Sequence, residues 1–563
     1  LIEPPPVRRK FDFKSAPEKR SVTQAQLPNL SFPKFTDVAQ ELGIQFVYDN
    51  GASPKALMVE STGGGCGWFD YDGDGRLDLF VTQGGVPDIS PTGTRPPDAC
   101  FRQTADGQFV DVALLAGLAD TNYGQAVAIA DVDNDGFDDL FVSNVGPCVL
   151  YLNQGDGTFR NATDWLKGKR NVWSTSAAWG DVDHDGDLDL YVCNYTIYDP
   201  YHPIPCLNKQ GEPTICHPVH VSPEADEFFI NSGDGELVES SQRLGLFGPG
   251  NKGLGVVIAD FTDDGWPDIF VANDVNANFL FVNESGQSFK ESAYVLGGAF
   301  SAAGETQANM GIAFGDYDQN GRPDVCITHF TGEGHTLYQN LGPLGLQDVT
   351  ARTGLRDATM SKLGFGTVMS DFNLDGHMDL FFTHGHIDPK FRTLEGYEMT
   401  PQLFSFDGSR WRDGSAQAGA FFSQRAVGRG VASADYDRDG DLDLCIVHQN
   451  SPLALLRNDS SLGHGLRVRL VGRTSNRNGY NARVTVTCGD RRWVSELAGG
   501  TSYAATHERI LFFGLGPQSG PGNVEVVWPS GIVDNIELPL LDTLIEVHEG
   551  QGAISRFGAV PAP

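Results

Sequence analysis

Short apolar runs recur along the chain, each interrupted at the same point by the same polar loop. Leu77-Asp-Leu-Phe-Val81 is a near-continuous apolar run of strand length that directly follows such a loop. A second run precedes each loop, with a small residue five positions ahead of its first Asp: Gly65, Ala126, Ser176, Gly255, Gly311, Gly366 and Gly430. Small residues suit an innermost strand with no room for a side chain. A third run such as Leu150-Tyr-Leu-Asn153 comes next, then a Gly-Asp-Gly turn at 155–157, then Phe159-Arg-Asn-Ala162 as a fourth. The pattern predicts one four-stranded sheet per repeat and hence an all-β, seven-bladed β-propeller. The fourth-strand pattern also appears once before any loop, at Phe35-Thr-Asp-Val38, while the seventh repeat stops at its third run, Leu453-Ala-Leu-Leu-Arg457. The N-terminal strand is therefore expected to complete the last blade, which removes a free sheet edge.

The interrupting loop reads Asp-x-Asp-x-Asp-Gly-x-x-Asp. Its seven copies offer oxygen ligands at positions 1, 3, 5 and 9. These are Asp70, Asp72, Asp74 and Asp78; Asp131, Asp133, Asp135 and Asp139; Asp181, Asp183, Asp185 and Asp189; Asp260, Thr262, Asp264 and Asp268; Asp316, Asp318, Asn320 and Asp324; Asp371, Asn373, Asp375 and Asp379; and Asp435, Asp437, Asp439 and Asp443. Hard cations take six to eight oxygens, and carboxylates at alternate positions converge when the chain curls around an ion. Glycine at position 6 permits the sharp turn. An EF-hand would need Glu at position 12 and flanking helices. Position 12 is Val81 in the first copy and Val142 in the second, within strand-like runs. Calcium, up to seven ions, is the expected cofactor.

Composition supports that reading. The formal charge is −33, which argues against a nucleic-acid partner because phosphate binding needs a basic face. No stretch is apolar enough for a membrane span. Leu1 to Arg20 is polar and Pro-rich, as expected of a stem after a removed signal or a truncated terminus. Among nine cysteines, Cys206 and Cys216 flank a Pro-rich excursion and are a candidate disulfide; Cys326 and Cys445 fall on strand positions and read as buried thiols. N-x-S/T sequons occur at Asn29, Asn161, Asn194, Asn283 and Asn458.

After Ser460 the loop pattern stops and strand-like runs continue: Leu466-Arg-Val-Arg-Leu470, Ala482-Arg-Val-Thr-Val-Thr487 and Val524-Glu-Val-Val-Trp528. The loops resemble FG-GAP/VCBS repeats of the integrin-α propeller type. Ser475-Asn-Arg-Asn-Gly479, Gly499-Gly-Thr-Ser-Tyr503, Phe513-Gly-Leu-Gly516 and Trp528-Pro-Ser-Gly531 resemble the ASPIC/UnbV module. Together, over roughly 32–550, they resemble the cartilage acidic protein (CRTAC) family. Gly479-Tyr-Asn-Ala482 and Phe512 depart from its usual pattern. The resemblance implies extracellular calcium-binding proteins with largely undefined activity.

The expected organisation is a flexible N-terminal segment (1–31), the propeller (32–460), a small β-sandwich-like module (461–550) and a tail (551–563). Each second strand should run from the acidic face to the opposite one. The residue at its end is Gln83, Asn144, Asn194, Asn273, His329, His384 or His448. With Glu60, Lys252, His335, Lys362, His386 and Arg429 on nearby loops, these predict a polar mouth with a histidine-rich sector. The candidate ligand pocket is Glu60, Lys252, His329, His384, His386, Arg429 and His448. Against it stands the simpler view that strand-end polar residues bond neighbouring loops. The leading functional expectation is a secreted, extracellular or periplasmic, or cell-surface, binding or adhesion protein with a protein or glycan partner. The alternative is an enzyme with its site at the mouth.

Overall fold

The computed structural model describes residues 31–87, 95–199, 202–203, 205–248, 250, 252–390, 395–460, 463–518, 520–538 and 541–558. The expected flexible segment, Ser31 apart, lies outside these residues. Phe32–Pro563 is one compact unit.

Strand pairing gives a run of four-strand antiparallel meanders, two of which, starting at Tyr123–Ala130 and Val172–Gly180, are joined in one nine-stranded sheet. Blade 1 is Cys66–Phe69, Asp78–Val81, Ala99–Gln103 and Phe109–Asp111. The pattern repeats with inner strands Tyr123–Ala130, Val172–Gly180, Gly253–Ala259, Ile312–Gly315, Gly364–Ser370 and Gly428–Ala434 for blades 2 to 7. The fourth strand of blade 7 is Phe35–Asp37, antiparallel to Ala454–Asn458. Phe35 is buried against Phe372 and Phe422, with ring centroids 5.6 and 6.2 Å away.

The small residues of the inner strands have a specific cause: the next blade's backbone lies against them. A Cβ on Gly255 would sit 2.3 Å from Met310 O, one on Gly311 2.1 Å from Phe365 O, and one on Gly366 2.4 Å from Arg429 O. On Gly430 it would meet Gly64 O at 2.4 Å, so the same packing joins blade 7 to blade 1.

The C-terminal module is a pair of four-stranded sheets, ordered 511–516, 464–471, 543–548, 552–558 and 491–496, 483–488, 522–527, 533–538. The expected tail at 551–563 needs correction, since Gly552–Gly558 is the module's last strand, paired to Thr543–His548. Nor is the module a separate appendage. Its Val468, Tyr480, Val486 and Trp528 share one buried core with Ala128, Trp179 and Leu190 of the ring.

The tie is strongest along Gly499–Thr506, which enters the centre of the ring and hydrogen-bonds to every blade. Gly499–Gly500 pairs with Val257 and Ile258 of blade 4. Ala505 and Thr506 pair with Cys66 and Gly67 of blade 1. The hydroxyl of Thr506 donates to Val127 O of blade 2 (2.9 Å), and Ala504 N donates to the Ser176 hydroxyl of blade 3 (3.1 Å). Ser502 O accepts from Ile312 N of blade 5 (2.9 Å). Its hydroxyl accepts from Thr367 N of blade 6 (3.4 Å) and donates to Val431 O of blade 7 (2.8 Å). The segment is an axle that pairs the inner strand edges, groups that water would otherwise have to satisfy. Its glycines are forced: a Cβ on Gly499 would lie 1.6 Å from Trp179 O, and Gly500 has φ 78° with Val256 O 2.2 Å from its Cβ position.

Candidate metal centres

All seven acidic loops share one hydrogen-bonded frame. The glycine at position 6 has positive φ throughout, from 86° at Gly75 to 109° at Gly440. Position 4 is also left-handed, at Gly73, Asn134, His184, Asp263, Gln319, Leu374 and Arg438. Two left-handed residues curl the backbone so that its N–H groups point inward. The position 5 side chain accepts from the position 7 N–H in every loop, for example Asp74 from Arg76 N at 3.0 Å and Asn320 from Arg322 N at 2.8 Å. In blade 1, both oxygens of the position 1 carboxylate accept backbone N–H groups, Asp70 from Asp74 N and Gly75 N at 3.0 and 2.9 Å.

The position 9 Asp fastens the loop to its blade. One oxygen accepts from the position 2 N–H, as Asp78 does from Tyr71 at 3.1 Å, and the other from the third strand, as Asp78 does from Gln103 N at 2.8 Å. That third-strand side chain then reaches the preceding loop. Asn153 Nδ2 donates to Tyr71 O (2.9 Å), Asn231 to Val132 O (2.9 Å), Asn283 to Val182 O (2.8 Å) and Asn458 to Phe372 O (2.8 Å). Gln103 Nε2 does the same to Tyr436 O of blade 7 at 3.2 Å, across the ring closure. The sequence reading missed these latches, although the recurring Asn at the end of the third run was their signal. They also occupy two sequon residues, Asn283 and Asn458, which are buried; Asn194 is buried too, and Asn161 is exposed.

The frame leaves oxygens over. Asp72 Oδ1, Asp181 Oδ1, Asp183 Oδ1, Thr262 Oγ1, Asp435 Oδ1 and Asp441 Oδ1 are shielded from water and have no hydrogen-bond donor. A buried acceptor without a donor is costly, and a cation removes that cost. In five loops three carboxylates bring oxygens within 4.8 Å of one another: Asp70, Asp72 and Asp78; Asp131, Asp133 and Asp139; Asp181, Asp183 and Asp185; Asp316, Asp318 and Asp324; Asp435, Asp437 and Asp443. The expected sets of blades 4 and 6 do not gather three carboxylates in this way; both carry a neutral residue, Thr262 or Asn373, at position 3. Burial pushes the carboxyls up, Asp78 to about 8, Asp131 to about 7 and Asp181 to about 7, with neighbouring acids raising them further. These donors fit a hard divalent cation, which would add to the positive charge that Arg102 brings to Asp72 at 2.7 Å and Arg467 brings to Asp435.

The polar mouth does not form as expected. Glu60, Lys252, His329, His384, His386, Arg429 and His448 are all buried. The strand-end residues close hairpins. Asn144 Nδ2 donates to Pro147 O (2.9 Å), Asn194 to Ala225 O (2.7 Å) and Asn273 to Ala277 O (3.0 Å). His384 Nδ1 bonds Thr400 O (3.0 Å) and His448 Nδ1 bonds Pro452 O (2.7 Å), so imidazole N–H replaces amide N–H in the same role. His329 Nδ1 bonds Ala308 O at 3.3 Å. His335 Nδ1 accepts from His329 N (3.1 Å), which leaves its Nε2–H for His384 Nε2 at 3.1 Å and fixes neutral tautomers along the chain. Burial holds His384 down at about 3 and His329 at about 4. Glu60 accepts from the Ser53 hydroxyl (2.6 Å), and Lys252 Nζ donates to Pro218 O (2.6 Å). His386 Nδ1 lies 3.1 Å from Asp388 N. Arg429 donates to Ser61 O (2.9 Å) and Gly428 O (2.8 Å) and lies 3.9 Å over the Phe365 ring.

Above these residues the chain covers the ring centre. Leu57, Met58, Tyr123, Trp173, Tyr195, Leu254, Met310 and Phe365 form an apolar cluster there. The blade 3 excursion, closed by the Cys206–Cys216 disulfide, reaches blade 6 through Thr214, whose hydroxyl donates to Asp388 Oδ2 at 2.7 Å, and through Lys390 Nζ to Pro213 O at 2.8 Å. His384 and His448 do line one cavity, of about 660 Å³, with Phe421, Met399 and Gln424; His329 is not part of it.

Comparison with known proteins agrees with the loops. The FG-GAP-like repeat family matches residues 70–142, 131–192, 219–271, 260–327 and 371–446, together more than half of the chain. The ASPIC and UnbV family matches 472–554. The chain belongs to the CRTAC-like family of FG-GAP repeat proteins. Cartilage acidic protein 1 of Homo sapiens is 23% identical over 510 residues, 85% of this chain and 71% of that protein. Its Xenopus tropicalis counterpart is 25% identical over 506 residues, 82% and 69%. Solved structures with a similar outline include YCF48 bound to D1 peptide (TM-score 0.39, 8% identity, 74% of this chain and all of that one). Another is an Agrocybe aegerita lectin specific for non-reducing terminal N-acetylglucosamine (TM-score 0.36, 15% identity, 62% and 79%). Among the described residues, no helix of this CRTAC-like chain is long and apolar enough to cross a membrane.

Proposed function

We propose that this protein is an extracellular, calcium-loaded propeller that works as a binding or adhesion protein. The observation that carries the reading is the set of shielded loop oxygens without donors, in a frame that gathers three carboxylates within 4.8 Å in five of the loops. Calcium fits better than magnesium. The loops offer several protein oxygens on a flexible arc, whereas magnesium keeps most of its water. The disulfide of the blade 3 excursion suits an oxidising compartment, and calcium is plentiful outside cells.

The binding role rests on the same excursion. It exposes Ile197, Leu207 and Val219, about three-fifths accessible each, with Leu207 inside the loop that the Cys206–Cys216 disulfide closes and the other two on the chain that flanks it. Apolar side chains held outward on and beside a tied loop suit recognition of a protein or of the apolar faces of sugars. The test is an array of extracellular proteins and glycans, probed with the calcium-loaded chain and with the Ile197→Asp, Leu207→Asp, Val219→Asp triple variant. Binding that is lost in the folded variant supports the role. Equal binding by both chains refutes the placement of the partner surface.

A further inference from the structure

The module's position on the acidic face brings its own side chains to the loops. Asn478 Oδ1 accepts from Asp131 N at 2.8 Å, Asn481 Oδ1 from Asp181 N at 3.3 Å, Glu496 Oε1 from Asp260 N at 3.1 Å and Glu508 Oε2 from Asp435 N at 3.0 Å. Each module residue thus caps the first residue of a loop. Two of these caps are amides and two are carboxyls; burial, with Asp260 alongside, pushes the Glu496 carboxyl up to about 8, the same want of positive charge that the loop carboxyls show.

Blade 4 is where such a carboxyl matters most. Its loop has only three carboxylates, Asp260, Asp264 and Asp268, because position 3 is Thr262. The Thr262 hydroxyl oxygen is shielded from water and has no hydrogen-bond partner. Glu496 is 6% exposed and sits directly behind Asp260. Of the two module arginines that line this corner, Arg483 is taken by a residue outside the ligand positions, Asp263, at 2.7 Å, and Arg492 donates to the Thr485 hydroxyl at 3.3 Å. Arg322 of blade 5 also pairs with Asp263, at 3.0 Å. A cleft of about 610 Å³ opens beside Asp260, Asp264 and Glu496 and gives an ion access.

We propose that the blade 4 cation site is a composite of ring and module, in which Glu496 supplies the fourth negative charge that Thr262 leaves out. Glu496 acts as a charge neighbour of the site through Asp260. This rests on the calcium reading of the loops. It also makes the module part of a metal site: an ion bound at blade 4 favours the seated module, and the seated module favours the ion, by the same factor.

The site has a built-in reporter. Trp266, at position 7 of this loop, is the only tryptophan in any of the seven loops. Terbium substitutes for calcium on oxygen ligands, so tryptophan-excited terbium emission, competed with calcium, reports the loops of blades 3 and 4, since Trp266 stacks on His184 of the blade 3 loop at 4.3 Å, and the part lost in Asp264→Asn is that of blade 4. Glu496→Gln keeps the acceptor for Asp260 N and removes only the charge. We expect its blade 4 affinity to fall about tenfold, the scale of one nearby charge acting on a multivalent ion in a partly buried site. Glu508→Gln, the equivalent cap at blade 7, should leave this emission unchanged. Thr262→Asp added to Glu496→Gln should restore the affinity, and this double variant also serves as the reading if the single one folds poorly. Unchanged affinity in Glu496→Gln, or failure of Thr262→Asp to restore it, overturns the composite site. Absence of any tryptophan-sensitised, calcium-competed emission in the wild type overturns instead the calcium reading of this loop.

Discussion

Gly499→Ala tests the axle. A methyl group there would lie 1.6 Å from Trp179 O and 2.8 Å from its carbonyl carbon, both rigid backbone atoms. No rotamer relieves the clash, so the axle must shift away from Trp179 of blade 3 and out of register with blade 4 beside it. It then loses the pairing of Gly499 and Gly500 with Ile258 and Val257 and the Thr501 N bond to Val256 O (3.2 Å). Three hydrogen bonds at about 1 kcal/mol each give a loss of about 3 kcal/mol. Amide hydrogen exchange read by mass spectrometry is the assay, because local opening converts that loss into about 100-fold faster exchange. The axle touches all seven blades, so the acceleration should appear in inner strands far apart in sequence, at 66–67, 256–258 and 312. A change confined to 497–500 would refute the axle as a shared anchor, and no change would refute the close packing itself.

The hairpin role of His448 predicts that His448→Asn, which keeps a side-chain N–H for Pro452 O, stays within about 1 kcal/mol of wild type in urea melts, while His448→Ala loses about 1–3 kcal/mol; equal losses would contradict the shared role with Asn144. Phe35→Ala removes a buried ring between Phe372 and Phe422 and should cost about 3–5 kcal/mol; a melt unchanged by it would show that the N-terminal strand does not hold blade 7. The buried histidines predict acid lability. Their folded-state pKa is depressed, so the unfolded chain takes up protons first as pH falls. Their stabilisation is complete above the unfolded value of about 6.5 and is lost as pH falls from there toward about 4, on the order of 2 kcal/mol at pH 5 for His384. Comparing wild type with His335→Gln, His384→Asn at pH 7.5 and pH 5 isolates that slope from the carboxylates, and identical slopes would reject it.

The loops, their blades and the ring order were legible because each repeat states the same physics again: a small residue, four oxygens, a turn glycine, a buried strand. The module was legible only as strands. That Gly499-Gly-Thr-Ser-Tyr503 lies inside the ring depends on backbone atoms of all seven blades, which no local pattern encodes. The histidines misled for a related reason. His384 and His448 look like chemistry when read beside each other, but the amide residues at the same position, Asn144, Asn194 and Asn273, show what the position does: it donates one N–H to a hairpin carbonyl. The third-strand Asn latch was visible as a repeat and became interpretable only once its acceptor, on the preceding blade, was known.

The central claim is that the acidic loops are filled by calcium. Native mass spectrometry of the intact chain, desalted in micromolar calcium and again after chelation, counts the ions directly. The account predicts at least five calcium ions per chain, one for each loop that gathers three carboxylates, all removed by chelator with a lower melting temperature. A chain that carries one ion or none, and melts identically with and without chelator, would contradict it.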